Sequence, residues 1–413
     1  MSASERLPDR VLAKAARAGR IRGIALDTWS RAKAQPRRAG RVLREGVSQA
    51  RALHSRERRL VQNALYDLVR GERRLAKALD TDEPLALWLG WLVEQGLAPE
   101  VARSELEAPF EHLLDGTLDA MLAAMPPDRA LAIRHGLPDD LATRLVEQRG
   151  AEIASQLLAA SDQRAPITVR TNRRKTTREA LAQRLADEGF QTTPCELAAD
   201  GLHVLDRGPL TTQRSFRDGW FEVQDEGSQL LAELVPSSAE VLDLCAGAGG
   251  KSLALAARGA KVTAADVRPE ALKELQRRAR RAGVRIESVL VRDAKLPSRL
   301  RRHGWEAVLI DAPCSGTGVL RRHPEHRWQY SPIGLKERTA LQRRILDRAA
   351  PIVAIGGTLT YGTCSVLAEE NEHVVASFLS GHPDFEATGE QIELGPHLHG
   401  TDGFFGVVLR RRG

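Results

Sequence analysis

The chain has 413 residues, enough for two or three domains that each bury a core. Its hydrophobic share of 42% is ordinary for a globular protein. The Arg- and Lys-rich N-terminus has no long apolar stretch, so neither a secretory leader nor a membrane-spanning helix is expected, and the expected location is cytoplasmic. Four cysteines, Cys195, Cys245, Cys314 and Cys364, are widely spaced without a CxxC pair, which argues against a metal site and a disulfide scaffold and favours reactive thiols in a reducing compartment.

Net charge is +7, unevenly spread. Residues 1–80 carry a net +12 and residues 81–160 a net −9. A basic arm beside an acidic segment points to a polyanion at one end, set against the plainer reading of a solvated helical face. At 4% aromatic residues, base stacking cannot be widespread.

In chain order, residues 1–160 read as helical. Leu53, Leu60, Ala64, Leu65, Leu68 and Leu75 recur at three- and four-residue steps, an apolar stripe with arginines opposite. Pro84, Pro99, Pro109, the Pro126–Pro127 pair and Pro138 divide the rest into short helices, with Trp88 and Trp91 read as core. Residues 161–235 change texture: short strands near 166–170, 201–205 and 221–223 and a helix over 177–186, a small α+β module. Residues 236–413 alternate strand and helix, which predicts a parallel sheet with helices on both faces and a ligand site beyond the strands' carboxyl ends.

The stretch Asp243-Leu-Cys-Ala-Gly-Ala-Gly-Gly-Lys251 joins a strand to a helix through a glycine turn whose N–H groups can face a ligand. Asp266 closes the next apolar run, where a carboxylate can accept from ribose hydroxyls. The dinucleotide fingerprint fails because Ser252 stands where its last glycine belongs. A phosphate loop is suggested by Gly250-Lys251-Ser252, yet Cys245 replaces its first glycine. S-adenosylmethionine, a ribose without phosphates, needs only the close turn and the acid; a purely structural turn is the fourth possibility.

Two thiols follow successive strands: Cys314 in Asp311-Ala-Pro-Cys-Ser-Gly-Thr-Gly318 and Cys364 in Tyr361-Gly-Thr-Cys-Ser365. Both sit in polar turns that packing does not require, whereas Cys195 reads as a small buried hydrophobe. If the two strands are neighbours, both sulfurs emerge at one edge near the glycine turn. Two thiols, a carboxylate and a methyl-donor loop suit methylation of a pyrimidine's carbon 5, which is unreactive until a thiolate adds to carbon 6. Asp311 is placed to stabilise charge developing at ring nitrogen 3, and a base must then remove the carbon 5 proton.

These three motifs resemble those of the Sun/Nop-type RNA (cytosine-5) methyltransferases. So do Val223-Gln-Asp-Glu-Gly-Ser-Gln229, Arg321-Arg-His-Pro-Glu325 with Trp328, and Asp402-Gly-Phe-Phe. The resemblance covers residues 165–413 well; the N-terminus is similar in kind, more weakly, to the NusB-like RNA-binding domain of the bacterial RsmB/Sun/Fmu members. It implies a Rossmann-like methyltransferase core (236–413), a small RRM-like α+β module (161–235) and a helical NusB-like domain (1–160). By the same resemblance Cys364 would be the nucleophile, Cys314 would assist breakdown of the adduct, and Asp311 would contact the cytosine and lie near the cofactor. Cys245, Ala246, Gly247, Ala248, Gly249, Gly250 and Lys251 would wrap S-adenosylmethionine. Asp266 would hold its ribose, Asp293 would sit beside the adenine, and Arg268 would line the pocket.

Many members have proline where this chain has Ala248, which loosens the turn without removing a donor. The substrate expected is RNA, small-subunit ribosomal RNA first and transfer RNA as the alternative, with the chain a monomer, no metal and no membrane. An RNA-binding assembly factor on a retained methyltransferase scaffold is the rival reading.

Overall fold

The computed structural model describes residues 8–236, 240–292, 296–301 and 304–413. They fall into two compact units: residues 1–163 together with Leu320–Pro332, and residues 164–319 together with 333–413. No helix among the described residues is long and apolar enough to cross a membrane.

The first unit is helical. Its central helix, Ser55–Leu79, buries Leu60, Ala64, Leu65, Leu68 and Leu75 on one face, as the three- and four-residue spacing requires. Its start is fixed by a capping box between His54 and Glu57. The prolines act as helix starters: Pro84, Pro99 and Pro127 each occupy the first turn, where the missing N–H costs nothing. Trp88 and Trp91 are buried and stacked, 5.7 Å between ring centres, so both belong to the core. Arg37, Arg38, Arg44, Arg51, Arg56 and Arg59 stay exposed.

The segment Leu320–Pro332 leaves the sequence of the sheet unit and packs into this helical one. Arg327 is wholly buried and donates to the carbonyl oxygens of His135 and Leu320 and to Asp162. Trp328 donates to Glu72 at 2.8 Å and Tyr330 to Asp140 at 2.8 Å. A cation and two aromatic donors are thus all satisfied inside one helical core.

The second unit holds two sheets. The smaller is formed by β1 (Ile167–Thr171), β2 (Thr192–Pro194), β3 (Gly201–Val204) and β4 (Phe221–Val223) in the order β2-β3-β1-β4, all antiparallel. With the helix Arg178–Asp187 after β1 and a short turn of helix before β4, this is the split βαβ pattern. It is fastened to the larger sheet's helix Pro269–Ala282 by Glu222, which pairs with Arg278 at 3.0 Å and Arg281 at 2.5 Å.

The larger sheet comprises β5 (Glu240–Asp243), β6 (Lys261–Asp266), β7 (Ile286–Leu290), β8 (Trp305–Asp311), β9 (Val353–Thr363), β10 (Phe385–Leu394) and β11 (Phe404–Arg411). Their order is β10-β11-β9-β8-β5-β6-β7. Five strands are parallel, but β11 runs antiparallel to both β9 and β10, which corrects the expectation of a wholly parallel sheet. The physical reason is the short connection from Leu394 to Phe404, which suits antiparallel neighbours and cannot make a crossover. Strand order reverses between β5 and β8, and ligands in open α/β sheets bind at such a switch point.

Candidate active site

The turn after β5 opens at this switch point. Leu244 N–H donates to the Leu309 carbonyl at 2.9 Å and Ala246 N–H to that of Ala265 at 3.0 Å, so the turn is stitched to both neighbouring strands. Gly249 adopts φ +84°, and a β-carbon there would lie 2.6 Å from the Leu275 side chain; only glycine lets the helix Gly250–Ala257 begin here. On the outer side the turn is open. A β-carbon at Gly247 would meet only Arg268, at 3.4 Å, and one at Gly250 only Gln224, at 3.9 Å.

Asp266, at the end of β6, faces this opening and is buried. It accepts from Gly247 N–H at 2.7 Å and from the Arg268 N–H and Nε at 2.9 and 3.1 Å. Burial works against its charge, yet these donors outweigh it and hold its pKa below the usual carboxylate value. A buried ionised acid beside a glycine turn fits a ribose-bearing group, with hydroxyls replacing part of the Arg268 contact. Asp243 is different: burial pushes its carboxyl up to about 7, against one hydrogen bond from Ser252 at 2.6 Å. Its other oxygen has no partner among the described residues.

Lys251 does not point to the mouth of the turn, as a phosphate loop requires. Its Nζ lies 2.7 Å from Asp311 Oδ2 and 5.4 Å from the Phe404 ring centre. Burial works against its charge, but Asp311 and, more weakly, the Cys364 sulfur raise its pKa above the ordinary lysine value. Lys251 therefore serves Asp311, and the phosphate reading of this stretch fails.

Strands β8 and β9 are parallel neighbours, with Asp311 beside Gly362 in register. Both thiols leave the sheet at the same edge, and the Cys314 and Cys364 sulfurs stand 3.3 Å apart. The hydrogen bond to Cys364 and burial, with the Glu370 charge adding, hold the Cys314 thiol well above the ordinary cysteine value. It is thus a proton-bearing neighbour for Cys364. Cys245 is also pushed up by burial, which makes it an inert wall of the turn.

The two cysteine loops interlock through backbone. Gly318 N–H donates to the Cys364 carbonyl at 2.9 Å, and Gly403 N–H to that of Gly318 at 2.8 Å. Two residues that the motifs did not single out hold them from behind. Glu370, wholly buried, accepts from Ser315 N–H at 2.8 Å, Ser315 Oγ at 2.5 Å and Gln342 Nε2 at 3.1 Å. Asn371 accepts from Thr363 at 2.5 Å and donates to the Ser365 carbonyl at 3.0 Å. The available signal was the run Glu369-Glu370-Asn371, an acidic pair just after a cysteine turn, which the sequence leaves open to reading as the start of the helix Glu372–Gly381. Of the residues named from sequence, Cys245–Lys251, Asp266, Arg268, Asp311, Cys314 and Cys364 all gather at this edge of the sheet, whereas Asp293 lies outside the described residues.

Residues 231–410 match the family described as 16S rRNA methyltransferase RsmB/F, and residues 137–211 the ferredoxin-like domain of RsmF/B-like methyltransferases. The chain is 33% identical over 309 residues to the probable ribosomal RNA small subunit methyltransferase B of Bacillus subtilis, covering 70% of this chain and 69% of that one. It is 34% identical to the ribosomal RNA small subunit methyltransferase B of Sodalis glossinidius, over 72% and 71% of the two chains. Among solved structures, that of PH0851, 24% identical, superposes on 96% of this chain and all of its own with a TM-score of 0.76, which shows a shared fold.

Proposed function

The chain belongs to the RsmB/F family of 16S rRNA methyltransferases, and from that membership we propose that Cys364 is the nucleophile that activates a cytosine of small-subunit ribosomal RNA for methylation at carbon 5. The enzyme is S-adenosylmethionine-dependent, and that cofactor supplies the electrophilic methyl group. Residues Cys245 to Lys251 and Asp266 would hold it, with Arg268 at the rim. The observation that carries the reading is the pair of sulfurs 3.3 Å apart beside the Lys251–Asp311 pair.

Cys364 adds to carbon 6 as a thiolate, and Asp311, held in place by Lys251, meets the charge developing at ring nitrogen 3. Once carbon 5 carries the methyl group its proton passes to water acting as the base, the ring double bond re-forms and the bond to Cys364 breaks with its electron pair leaving on the sulfur. Cys314, kept as a thiol, donates a hydrogen bond to the departing sulfur and stabilises it as it leaves.

The target cytosine has to be out of a helix to meet a thiolate, so a single-stranded or looped site is the substrate in this reading. Residues 1–160 bring the RNA, their exposed arginines meeting phosphates; residues 161–235 form a separate small module and residues 236–413 carry out the chemistry. One chain acts alone, in the cytoplasm where ribosomal subunits are made.

The test mixes Cys314→Ala protein with small-subunit ribosomal RNA and S-adenosylmethionine and looks for a protein–RNA band that survives denaturation. A band that vanishes when Cys364 is also changed to Ala supports the assignment. A band with Cys364→Ala alone reverses the two roles, and no band in any variant, with transfer RNA also tried, favours a scaffold without turnover.

A further inference from the structure

Away from the paired thiols, the second unit brings together another set of ligating side chains. Cys195 follows β2, His203 lies on β3, and Glu226 opens the helix Glu226–Glu233 after β4. Their sulfur, imidazole nitrogen and carboxylate oxygen all lie within 4.8 Å of one another. We propose that Cys195, His203 and Glu226 form a three-ligand site for a zinc-class divalent cation, with a fourth position open beside His203.

Each ligand atom is aimed by a contact behind it, the arrangement that orients ligands in metal sites. Thr168 Oγ1 hydrogen-bonds His203 Nδ1 at 3.2 Å, which turns Nε2 toward Glu226. The N–H groups of Leu197 and Ala198 donate to Glu226 Oε1 at 2.7 and 2.9 Å, which leaves Oε2 for the site. Cys195 N–H donates to the Gly201 carbonyl at 3.0 Å. A β-carbon at Gly201 would lie 2.6 Å from the Cys195 sulfur, so the glycine keeps that sulfur's place clear.

The separation of His203 Nε2 from Glu226 Oε2 is 3.6 Å. That exceeds the roughly 2.7–3.2 Å of an N–H···O hydrogen bond. Zinc bonds of about 2.0–2.2 Å to nitrogen and oxygen, opened at a tetrahedral angle, set the ligands about 3.4 Å apart. The pair is spaced for a shared cation better than for each other. Cys195 and Glu226 are buried, while the His203 side chain is 25% exposed, which gives an ion an entry path.

A Cys-His-Glu set also invites the reading of a nucleophile with its base. Cys195 is 5% exposed, so a substrate atom has no approach to its sulfur. On binding, the S–H bond breaks, its proton leaves to solvent and a sulfur–zinc bond forms. The thiolate and carboxylate then offset the cation's two charges. The ion would clamp the β2–β3 hairpin to the first helix beyond the small sheet and so brace that sheet against the larger one.

The experiment uses full-length protein carrying Cys314→Ala and Cys364→Ala, so that the paired sulfurs cannot bind metal, stripped with a chelator under reducing conditions. Zinc and cobalt are titrated by calorimetry and absorption. The expected result is one equivalent bound, a thiolate-to-cobalt charge-transfer band, and a rise in melting temperature with zinc. Cys195→Ser should abolish the band. His203→Gln, partly exposed and compatible with folding as checked by circular dichroism, should weaken zinc at least about 100-fold, since changes behind a ligand alone cost about 10–100-fold. Absence of binding at micromolar zinc, or equal stoichiometry and affinity in parent and His203→Gln, overturns the site in favour of a simple hydrogen-bonded cluster.

Discussion

Glu370→Gln tests whether the Cys314 loop is held from behind as the geometry indicates. The Glu370 carboxylate takes three hydrogen bonds, two from Ser315 and one from Gln342, with no exposure to solvent. The amide keeps the volume. Its oxygen stays with Ser315 N–H and Gln342 Nε2, and its NH2 group faces Ser315 Oγ, which rotates to accept. Hydrogen bonds to charged groups contribute about 1.5–3 kcal/mol and neutral ones about 0.5–1.5 kcal/mol, so three weakened bonds lose about 3 kcal/mol. Removing a buried charge returns part of that, leaving about 2 kcal/mol. A melting temperature lower by roughly 4–8 °C follows. Because Ser315 adjoins Cys314, the sulfur also loses its alignment with Cys364, and release of the covalent adduct slows. The assay is differential scanning fluorimetry beside a denaturing gel of the reaction at steady state, where the variant should show a protein–RNA band that wild type does not. Normal turnover without a band, at the expected loss of stability, would refute the idea that Glu370 aligns Cys314.

Three further outcomes follow from the same site. In Gly318→Ala the new methyl group would lie 2.1 Å from the Gly403 carbonyl oxygen and 2.9 Å from that of Cys364, both backbone, so the cysteine loops must part. Stability should fall by about 1–3 kcal/mol and methylation should collapse while S-adenosylmethionine affinity, measured by calorimetry, is retained. Asp243, pushed from 3.8 up to about 7 by burial, binds its proton in the folded state across that window where the unfolded chain has lost it. Its contribution to stability therefore falls as pH rises from about 4 to about 7, by up to about 1.4 kcal/mol per unit. Asp243→Asn should lose this part of the pH dependence, so that the stability difference between wild type and variant changes across that window, and a difference independent of pH would refute the assignment. Peroxide should oxidise one of the two neighbouring thiols to a sulfenic acid, from which the other displaces water to form a Cys314–Cys364 disulfide. Activity should be lost and return with a thiol reductant, and a non-reducing peptide map should show the link; irreversible loss without it would count against the 3.3 Å pairing.

The local elements and the chemistry they carry are legible along the chain. A glycine turn between an apolar strand and a small-residue helix can be read from Asp243–Lys251, because the turn needs positive φ at Gly247 and Gly249 and no other residue supplies it without strain. The helix around Leu60–Leu75 was legible from its spacing, and the two cysteine turns from their polar neighbours. Three things needed the tertiary structure, since each depends on residues far apart in the chain. The antiparallel β10–β11 pair carries no crossover helix, so only its pairing with β9 gives its direction. The hold of Glu370 on the Cys314 loop spans 55 residues, and no spacing rule links an acidic pair to a thiol at that distance. Cys195 looked like a lone apolar filler because its partners, His203 and Glu226, come from a different strand and from a helix beyond the small sheet. Periodicity reports which face of an element is buried, and only packing decides which polar groups meet once it is.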